Sequence, residues 1–286
     1  MANAPGESDL LKLGNELLEK GPVKTLATPR RVRIQLNGAY VADTTAALFV
    51  WEHEYYPYYY VPKASFSPQR LRLRLRHPDS ECHTAVLAAG ERTTDRALVF
   101  GDALPNPACK PLEGMVRVEF AAADAWFEED VRIYVHPKDP FRRVDVLHST
   151  RALEVRVRGH VVARTGSSWH LYETGLPCRY YVPPTAVLTA PEGGVGLRLR
   201  ESRTTTACPY KGVANYYHVE VGGGGEEGER GKGEGGGTFE DLIWYYRTPT
   251  LECASIAGCL CFYHEKEGVE VRIDGELVQR PKTHWS

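Results

Sequence analysis

The sequence lacks the features that would direct it to a membrane, to a secretory route or to a nucleic acid. Its first residues, MANAPGESDL, show no basic start followed by an apolar stretch, so we expect no signal peptide. No uninterrupted apolar run approaches the roughly 18 residues of a membrane-spanning helix. The formal net charge is -2, whereas proteins that hold nucleic-acid phosphates usually carry a basic surplus. We therefore expect a soluble cytoplasmic protein with no membrane or nucleic-acid partner.

Cysteine is sparse and irregularly placed. The seven cysteines are an odd number, scattered between Cys82 and Cys261, and do not suit a disulfide framework. Zinc sites usually combine two close pairs of ligands, and the only close pair here is Cys259 and Cys261. A single intervening residue places both side chains on one face of a strand, which is a poor clamp for a tetrahedral ion. We expect buried thiols and no metal site, and no motif indicates a cofactor.

What the chain does contain is an internal repeat. When Arg30 is placed on Arg151, residues 30–62 align without a gap on residues 151–183. The identities include Glu52 with Glu173, and each segment ends in Tyr-Tyr-Val-Pro. A gapless match of this length indicates a duplicated domain. Farther along, Trp126 and Trp244 are interpreted as a second matched pair because each follows its Tyr-Tyr-Val-Pro at a similar distance.

The copies are predicted to be mainly β. Segments such as RLRLRLR (70–76), LEVRVRG (153–159) and GVEVRIDG (268–275) alternate apolar and polar residues, which is the pattern of half-buried strands. Glycine and proline clusters interrupt these segments at short intervals. We predict two tandem copies of a small antiparallel β domain, barrel- or tent-like, preceded by a short helix near Ser8–Lys20 with a leucine stripe.

The repeat also sets the expected domain boundaries. Residues 1–26 form an N-terminal helical extension, residues 27–147 the first copy and residues 148–286 the second. RRVDVLHST (142–150) is interpreted as the last strand of the first copy. The segment 222–237 is rich in glycine and charge and has no apolar residue, so we expect a flexible loop between strands. A phosphate-binding glycine loop would need a strand before it and a helix after it.

The second copy concentrates the polar and aromatic motifs. Its four motifs are LYETGLPCRYY (171–181), TACPYKGVANY (206–216), WYYRTP (244–249) and GCLCFY (258–263). Together with HPKDPFRRVDVLHSTR (136–151) and CFYHEKEGVEVRIDG (261–275), they resemble the family called domain of unknown function 427, in its tandem two-copy, fungal-type form. The resemblance spans roughly residues 27–280 and implies a compact β domain without an established function. The first copy has no convincing match to Cys-Pro-Tyr-Lys-Gly.

The residue types of the second copy suit a pocket for a small polar or anionic molecule. Lys211 precedes a glycine, so the backbone there can approach a ligand and the ammonium can meet a phosphate or carboxylate. Arg179 could bind such a group bidentately, and aromatic rings offer flat faces. The predicted ligand-binding residues are Glu173, Arg179, Tyr181, Thr206, Cys208, Lys211, Trp244 and Tyr246.

Three functions stay open on this basis. The first is a small-molecule-binding protein. The second is an enzyme that acts on the ligand through Glu173 or Lys211 as acid or base, although Cys208 has no histidine at an informative spacing. Each predicted site residue also has a structural interpretation, as one half of an ion pair or as core packing. The third function is a protein-interaction module with an exposed tyrosine face, formed by Tyr55, Tyr56, Tyr58, Tyr59 and Tyr60.

Overall fold

A computed structural model describes residues 5–67, 69–74, 80–188, 197–221 and 237–281. The glycine-rich segment therefore lies outside the described residues, apart from Gly237. The chain divides into two units, Met1–Asp139 and Pro140–Ser286. Each unit contains one seven-stranded and one four-stranded antiparallel sheet.

The first unit begins with helix α1 (Pro5–Lys20) and continues with strands β1 to β11. The strands are β1 (Lys24–Ala27), β2 (Val32–Leu36), β3 (Ala39–Thr44), β4 (Leu48–Trp51), β5 (Tyr58–Pro62), β6 (Leu71–Arg74), β7 (Cys82–Ala89), β8 (Arg92–Phe100), β9 (Met115–Val118), β10 (Ala125–Glu128) and β11 (Val131–Ile133). Short 3₁₀ turns lie at Lys63–Ser65, Pro107–Leu112 and Phe120–Ala122. The sheet orders are β1-β4-β5-β9-β8-β7-β6 and β11-β10-β2-β3.

The second unit repeats this arrangement with strands β12 to β22. The strands are β12 (Val144–Ser149), β13 (Leu153–Val157), β14 (His160–Thr165), β15 (Ser168–Glu173), β16 (Arg179–Val182), β17 (Leu197–Cys208), β18 (Gly212–Val221), β19 (Gly237–Tyr246), β20 (Leu260–Phe262), β21 (Val269–Ile273) and β22 (Glu276–Leu277). Its 3₁₀ turns lie at Pro184–Ala186 and Leu251–Ile256. The orders are β12-β15-β16-β20-β19-β18-β17 and β14-β13-β21-β22.

Strand order confirms the prediction of two tandem antiparallel β copies. Each strand of the first unit has a counterpart eleven strands later, and both sheets keep the same neighbours. The first hairpins even share an irregularity, a register shift after Ile34 in β2 and after Val155 in β13. The barrel-like alternative is wrong, because in the described residues each order runs between two different end strands and does not close.

The strand at Val144–Ser149 opens the second copy. It pairs with β15, as β1 pairs with β4 in the first unit. The sequence interpretation of this segment as the last strand of the first copy is therefore wrong. Alternation alone could not decide the matter, since it shows that a segment is a strand but not which strand it joins.

The two tryptophans matched in the sequence are not counterparts. Trp126 lies on β10 of a four-stranded sheet, whereas Trp244 lies on β19 of a seven-stranded sheet. The strand pairing makes Leu98 the counterpart of Trp244, and Val271 the counterpart of Trp126. The predicted pair is therefore wrong, and the aromatic ring of Trp244 is specific to the second copy.

Alternation along the strands gives each seven-stranded sheet two buried faces. In the first unit Tyr59 and Val99 point toward the four-stranded sheet and share a core with its Ile34. Tyr60 and Leu98, one residue away along their strands, belong to a separate cluster on the opposite face. We call this opposite face, turned away from the four-stranded sheet, the outer face.

Helix α1 covers the outer face of the first unit. Leu10 and Leu17 are 2% and 4% exposed, and Leu17 shares the outer-face cluster with Leu98. The approach is close, because a β-carbon added at Gly14 would lie 2.7 Å from Cys82 Sγ. The predicted helix and its leucine stripe are thus confirmed, with its start three residues before Ser8. No helix in the described residues is long and apolar enough to cross a membrane.

The end of α1 is fixed by residues far along the chain. Asn106 Nδ2 donates to the carbonyl oxygens of Leu18 and Glu19, at 2.9 and 3.0 Å. The Cys109 thiol donates to the Leu17 carbonyl at 3.0 Å. Carbonyls in the last turn of a helix have no partner within the helix, so these side chains act as its C-terminal cap.

Candidate functional site

The outer face of the second unit carries aromatic and polar side chains. No α-helix occurs in the described part of this unit. The 3₁₀ turn Leu251–Ile256 contributes Cys253 and Ile256 to the cluster on this face. The strand residues of the cluster, which we call the aromatic face, are Leu171, Tyr181, Ala214, Tyr216, Trp244, Tyr246 and Cys261.

The turn between β17 and β18 holds Lys211 beside this face. Thr250 accounts for two of the contacts that fix the turn: its hydroxyl donates to the Tyr210 carbonyl at 2.5 Å and its amide to the Lys211 carbonyl at 3.1 Å. The next residue, Gly212, has a φ of +96°, which favours glycine. A β-carbon there would also lie 3.3 Å from the Thr248 carbonyl oxygen. The glycine at position 212 and the tertiary contacts of Thr250 therefore fix the position of the lysine.

Lys211 forms a buried ion pair with Glu173. The two charged groups are 2.5 Å apart, from Lys211 Nζ to Glu173 Oε2, and the side chains are 12% and 7% exposed. Burial lowers the pKa of Lys211, but Cys208 and Glu173 nearby more than offset this and leave the pKa above its ordinary value. Lys211 is therefore a permanent cation at neutral pH.

The matching acid of the first copy also has a buried cation, but from another strand. Glu52 lies 2.6 Å from Arg117 on β9, and their side chains are 5% and 8% exposed. The Tyr60 hydroxyl donates to the same carboxylate at 3.1 Å. Strand pairing places Cys261 at the position of Arg117, so in the second copy a cysteine stands where the first has its arginine, and the cation comes from the β17–β18 turn.

Arg179 is bound to a different acid. Its guanidinium lies 2.5 Å from Glu265, with side chains 17% and 7% exposed, and stands 5.5 Å above the Trp244 ring. Burial lowers the pKa of Arg179, yet the Glu265 carboxylate raises it above its usual value. The structure thus separates Arg179 from the Glu173–Lys211 pair. Glu265 was missed in the sequence, where its only signal was its place in CFYHEKEGVEVRIDG (261–275), one of the segments that carry the family resemblance.

Most of the aromatic candidate residues are buried and pack against their neighbours. Tyr181 is fully buried and accepts a hydrogen bond of 3.1 Å from Trp244 Nε1. Trp244 and Tyr246 are 7% and 4% exposed. Thr206 is exposed, and its hydroxyl lies 2.7 Å from the Tyr216 hydroxyl, while Cys208 is partly exposed. The accessible part of the predicted set is therefore the rim formed by Thr206 and Cys208, beside a Lys211 side chain that is 12% exposed.

The predicted tyrosine face of the first copy is wrong. Tyr59 is 2% exposed and Tyr60 is fully buried, because β5 directs one into the core between the sheets and the other onto the outer face. Tyr56 stacks on His136 with ring centres 3.9 Å apart. Tyr55 is 61% exposed, and a single exposed ring does not make a tyrosine face.

The described residues offer neither a metal-binding cluster nor an accessible pair of cysteines. Five of the seven cysteines are buried, including Cys259 and Cys261, and burial raises the pKa of both of these thiols. Within the described ranges no group of three or more histidine, cysteine, aspartate or glutamate side chains could hold a metal ion.

No curated protein matches the chain. The family whose description reads domain of unknown function (DUF427) matches it twice, over residues 24–129 and 145–279. The first match starts at the first residue of β1 and the second within its counterpart β12. Together the two matches cover more than half of the sequence. The chain therefore belongs to the DUF427 family, as a tandem member with two copies of the domain.

Proposed function

We propose that the second copy binds a small polar or anionic molecule at the Glu173–Lys211 pair. The observation that carries the proposal is the state of the Lys211 ammonium. It has three N–H donors, and within the described residues its one hydrogen-bond acceptor is Glu173. A nearly buried cation with two uncommitted donors is suited to hold the oxygens of a phosphate or carboxylate.

The rim beside the ammonium supports this function. Thr206 presents an exposed hydroxyl, and Cys208 is partly exposed at the end of β17. Tyr216 and Tyr246 lie beneath the rim and are largely buried. Such a site combines an ion pair with a few polar groups over an apolar floor, which is close to the usual composition of small-molecule sites.

The raised pKa of Lys211 favours a binding function over a catalytic one. A lysine that acts as general base or amine nucleophile needs a lowered pKa, so that it is neutral near pH 7. The surroundings of Lys211 raise its pKa instead. A fixed ammonium is suited to neutralise a ligand charge, and we therefore place the enzyme hypothesis second.

Ligand-induced stabilisation tests the proposal. Thermal unfolding would be followed with inorganic phosphate, nucleotides, sugar phosphates and small carboxylates, using wild type and Lys211→Met. A ligand at about 100 times its Kd should stabilise the wild type by roughly 2.7 kcal/mol. We expect Lys211→Met to lose this stabilisation.

The first copy offers the matched control. Arg117→Met breaks the corresponding buried pair with Glu52, so it should destabilise the protein to a similar degree but keep the response to the ligand. The proposal fails if no compound stabilises the wild type. It fails equally if the response survives in Lys211→Met.

A further inference from the structure

Strand β17 forms one end of the seven-stranded sheet in the second unit. It runs from Leu197 to Cys208, whereas β6, the strand at the same place in the first unit, is described from Leu71 to Arg74. Among the described residues its backbone pairs with β18 and with no other strand. A strand at the end of a sheet directs every second N–H and C=O away from its neighbour, so β17 has backbone donors and acceptors that no strand uses.

Only the first part of this edge is protected against pairing. Proteins protect edge strands with charged side chains, bulges or proline, because an open edge recruits other chains. Arg198 and Arg200 lie in the first part of β17, and its register with β18 then shifts between Glu201 and Thr205. From Thr205 the pairing is regular again, and no charged residue or proline occurs before the strand ends. We call Thr205–Cys208 the open edge.

The open edge is exposed and already held in the shape of a strand. Thr205, Thr206 and Ala207 are exposed, and Cys208 is partly exposed. The Thr206 hydroxyl lies 2.7 Å from the Tyr216 hydroxyl, which ties β17 to β18 on the outer face. An edge that is fixed before binding loses little conformational freedom when a further strand pairs with it. Because its side chains are small and uncharged, the neighbouring side chains of an added strand should be uncharged too.

The uncommitted charges of β17 are positive. Arg198 and Arg203 are exposed, and neither forms an ion pair with any residue that the structure describes. The acid of the same strand, Glu201, is paired with Arg247. Arg200 is likewise committed, at 3.0 Å from Glu220. Charge complementarity therefore favours an acidic partner over a basic one.

We propose that the open edge binds an extended acidic segment of a partner protein, which adds to β17 as a further β-strand. Backbone hydrogen bonds to the open edge supply the affinity, and uncharged side chains of the segment lie beside Thr206 and Ala207. A carboxylate at the end of the segment pairs with Arg203. This surface is separate from the Glu173–Lys211 pair and does not rest on the function proposed for that pair.

Three matched peptides with blocked ends test this assignment. They are EVTVTVE, its charge-reversed form KVTVTVK, and EVTVTVE with every central backbone nitrogen methylated, which removes the donors of a β-ladder. Fluorescence anisotropy of labelled peptides should show the tightest binding for EVTVTVE and none for the methylated form. Amide hydrogen exchange followed by NMR should show that EVTVTVE protects amides within Thr205–Cys208. Exchange in Val144–Ser149, the strand at the other end of the sheet, should stay unchanged.

Charge reversal at single exposed positions tests the role of the arginine. Arg203→Glu should weaken the binding of EVTVTVE by roughly twofold to fivefold, the effect of one exposed ion pair, and should strengthen the binding of KVTVTVK. Lys12→Glu makes the same change of charge on an exposed residue of helix α1, so it should leave both affinities unchanged.

Four results would overturn the proposal. The first is the absence of protection in Thr205–Cys208, and the second is equal binding of the methylated peptide or of KVTVTVK. The third is loss of binding in Lys211→Met but not in Arg203→Glu, since the acidic peptide would then occupy the other site. The fourth is a dimer in analytical ultracentrifugation whose open-edge amides are protected without peptide, since a second copy of the chain would then be the partner.

Discussion

Replacement of Lys211 by methionine removes the ammonium that lies 2.5 Å from Glu173 Oε2 while keeping an unbranched side chain of similar length. The carboxylate is left without its cation in a side chain that is 7% exposed. Loss of one partner from a buried pair costs about 3–5 kcal/mol, because the remaining charge is desolvated and unpaired. For a domain of this size about 1 kcal/mol corresponds to roughly 2–4 °C, so Tm should fall by roughly 6–20 °C.

A double-mutant cycle separates the pair from its surroundings. Glu173→Leu combined with Lys211→Met removes both charges, so the double variant should be more stable than Lys211→Met alone. Differential scanning calorimetry of the wild type, the two single variants and the double variant gives the coupling energy. If Lys211→Met costs less than about 1 kcal/mol, as for an exposed pair, the reasoning on burial is refuted.

Two further predictions concern local structure. Gly212→Ala should cost more than Gly159→Ala in urea unfolding: both positions have positive φ, but only the first added β-carbon would approach the Thr248 carbonyl, at 3.3 Å. Equal losses would show that this contact does not matter. Hydrogen bonds from Arg96 lower the pKa of Asp9 to about 2 from an ordinary value near 3.8. Asp9→Asn should therefore cost under about 1 kcal/mol at neutral pH, and the difference from wild type should shrink as pH falls below about 4 and vanish only below about 2. An undiminished difference at about pH 2 would contradict the assignment.

The duplicated β architecture was predictable for two reasons. A gapless repeat is visible when the chain is compared with itself, and period-two alternation depends only on neighbouring residues. The pairing of Trp126 with Trp244 failed for a physical reason. Strands β7 and β8 are joined by the two residues Gly90 and Glu91, whereas β18 and β19 are joined by residues 222–236. A longer connection displaces every later position, so spacing along the chain stops reporting position in the sheet.

Position along the chain was also insufficient to predict the contacts of the candidate site. The sequence singled out Glu173, Arg179 and Lys211 as candidates, but left open which cation would meet the glutamate. The answer depends on β-strand register, because Arg179 points toward Glu265 and Lys211 arrives from a turn that Thr250 holds in place. Burial of the tyrosines also depends on a covering element, and α1 is far from β5 in the sequence. Such contacts are tertiary and leave no local pattern.

The C-terminal cap of α1 has a consequence for how the protein is made. Asn106 lies 88 residues beyond Leu18, whose carbonyl oxygen it binds. At a synthesis rate of about 5–20 residues per second, roughly 4 to 18 seconds pass before the cap exists. Throughout that interval the leucine stripe, with Leu10 and Leu17, has no complete sheet against which to bury. The helix that the chain makes first thus becomes secure only late in the synthesis of the first unit, and the nascent chain carries an exposed apolar segment until β8 and the Pro107–Leu112 turn have been made.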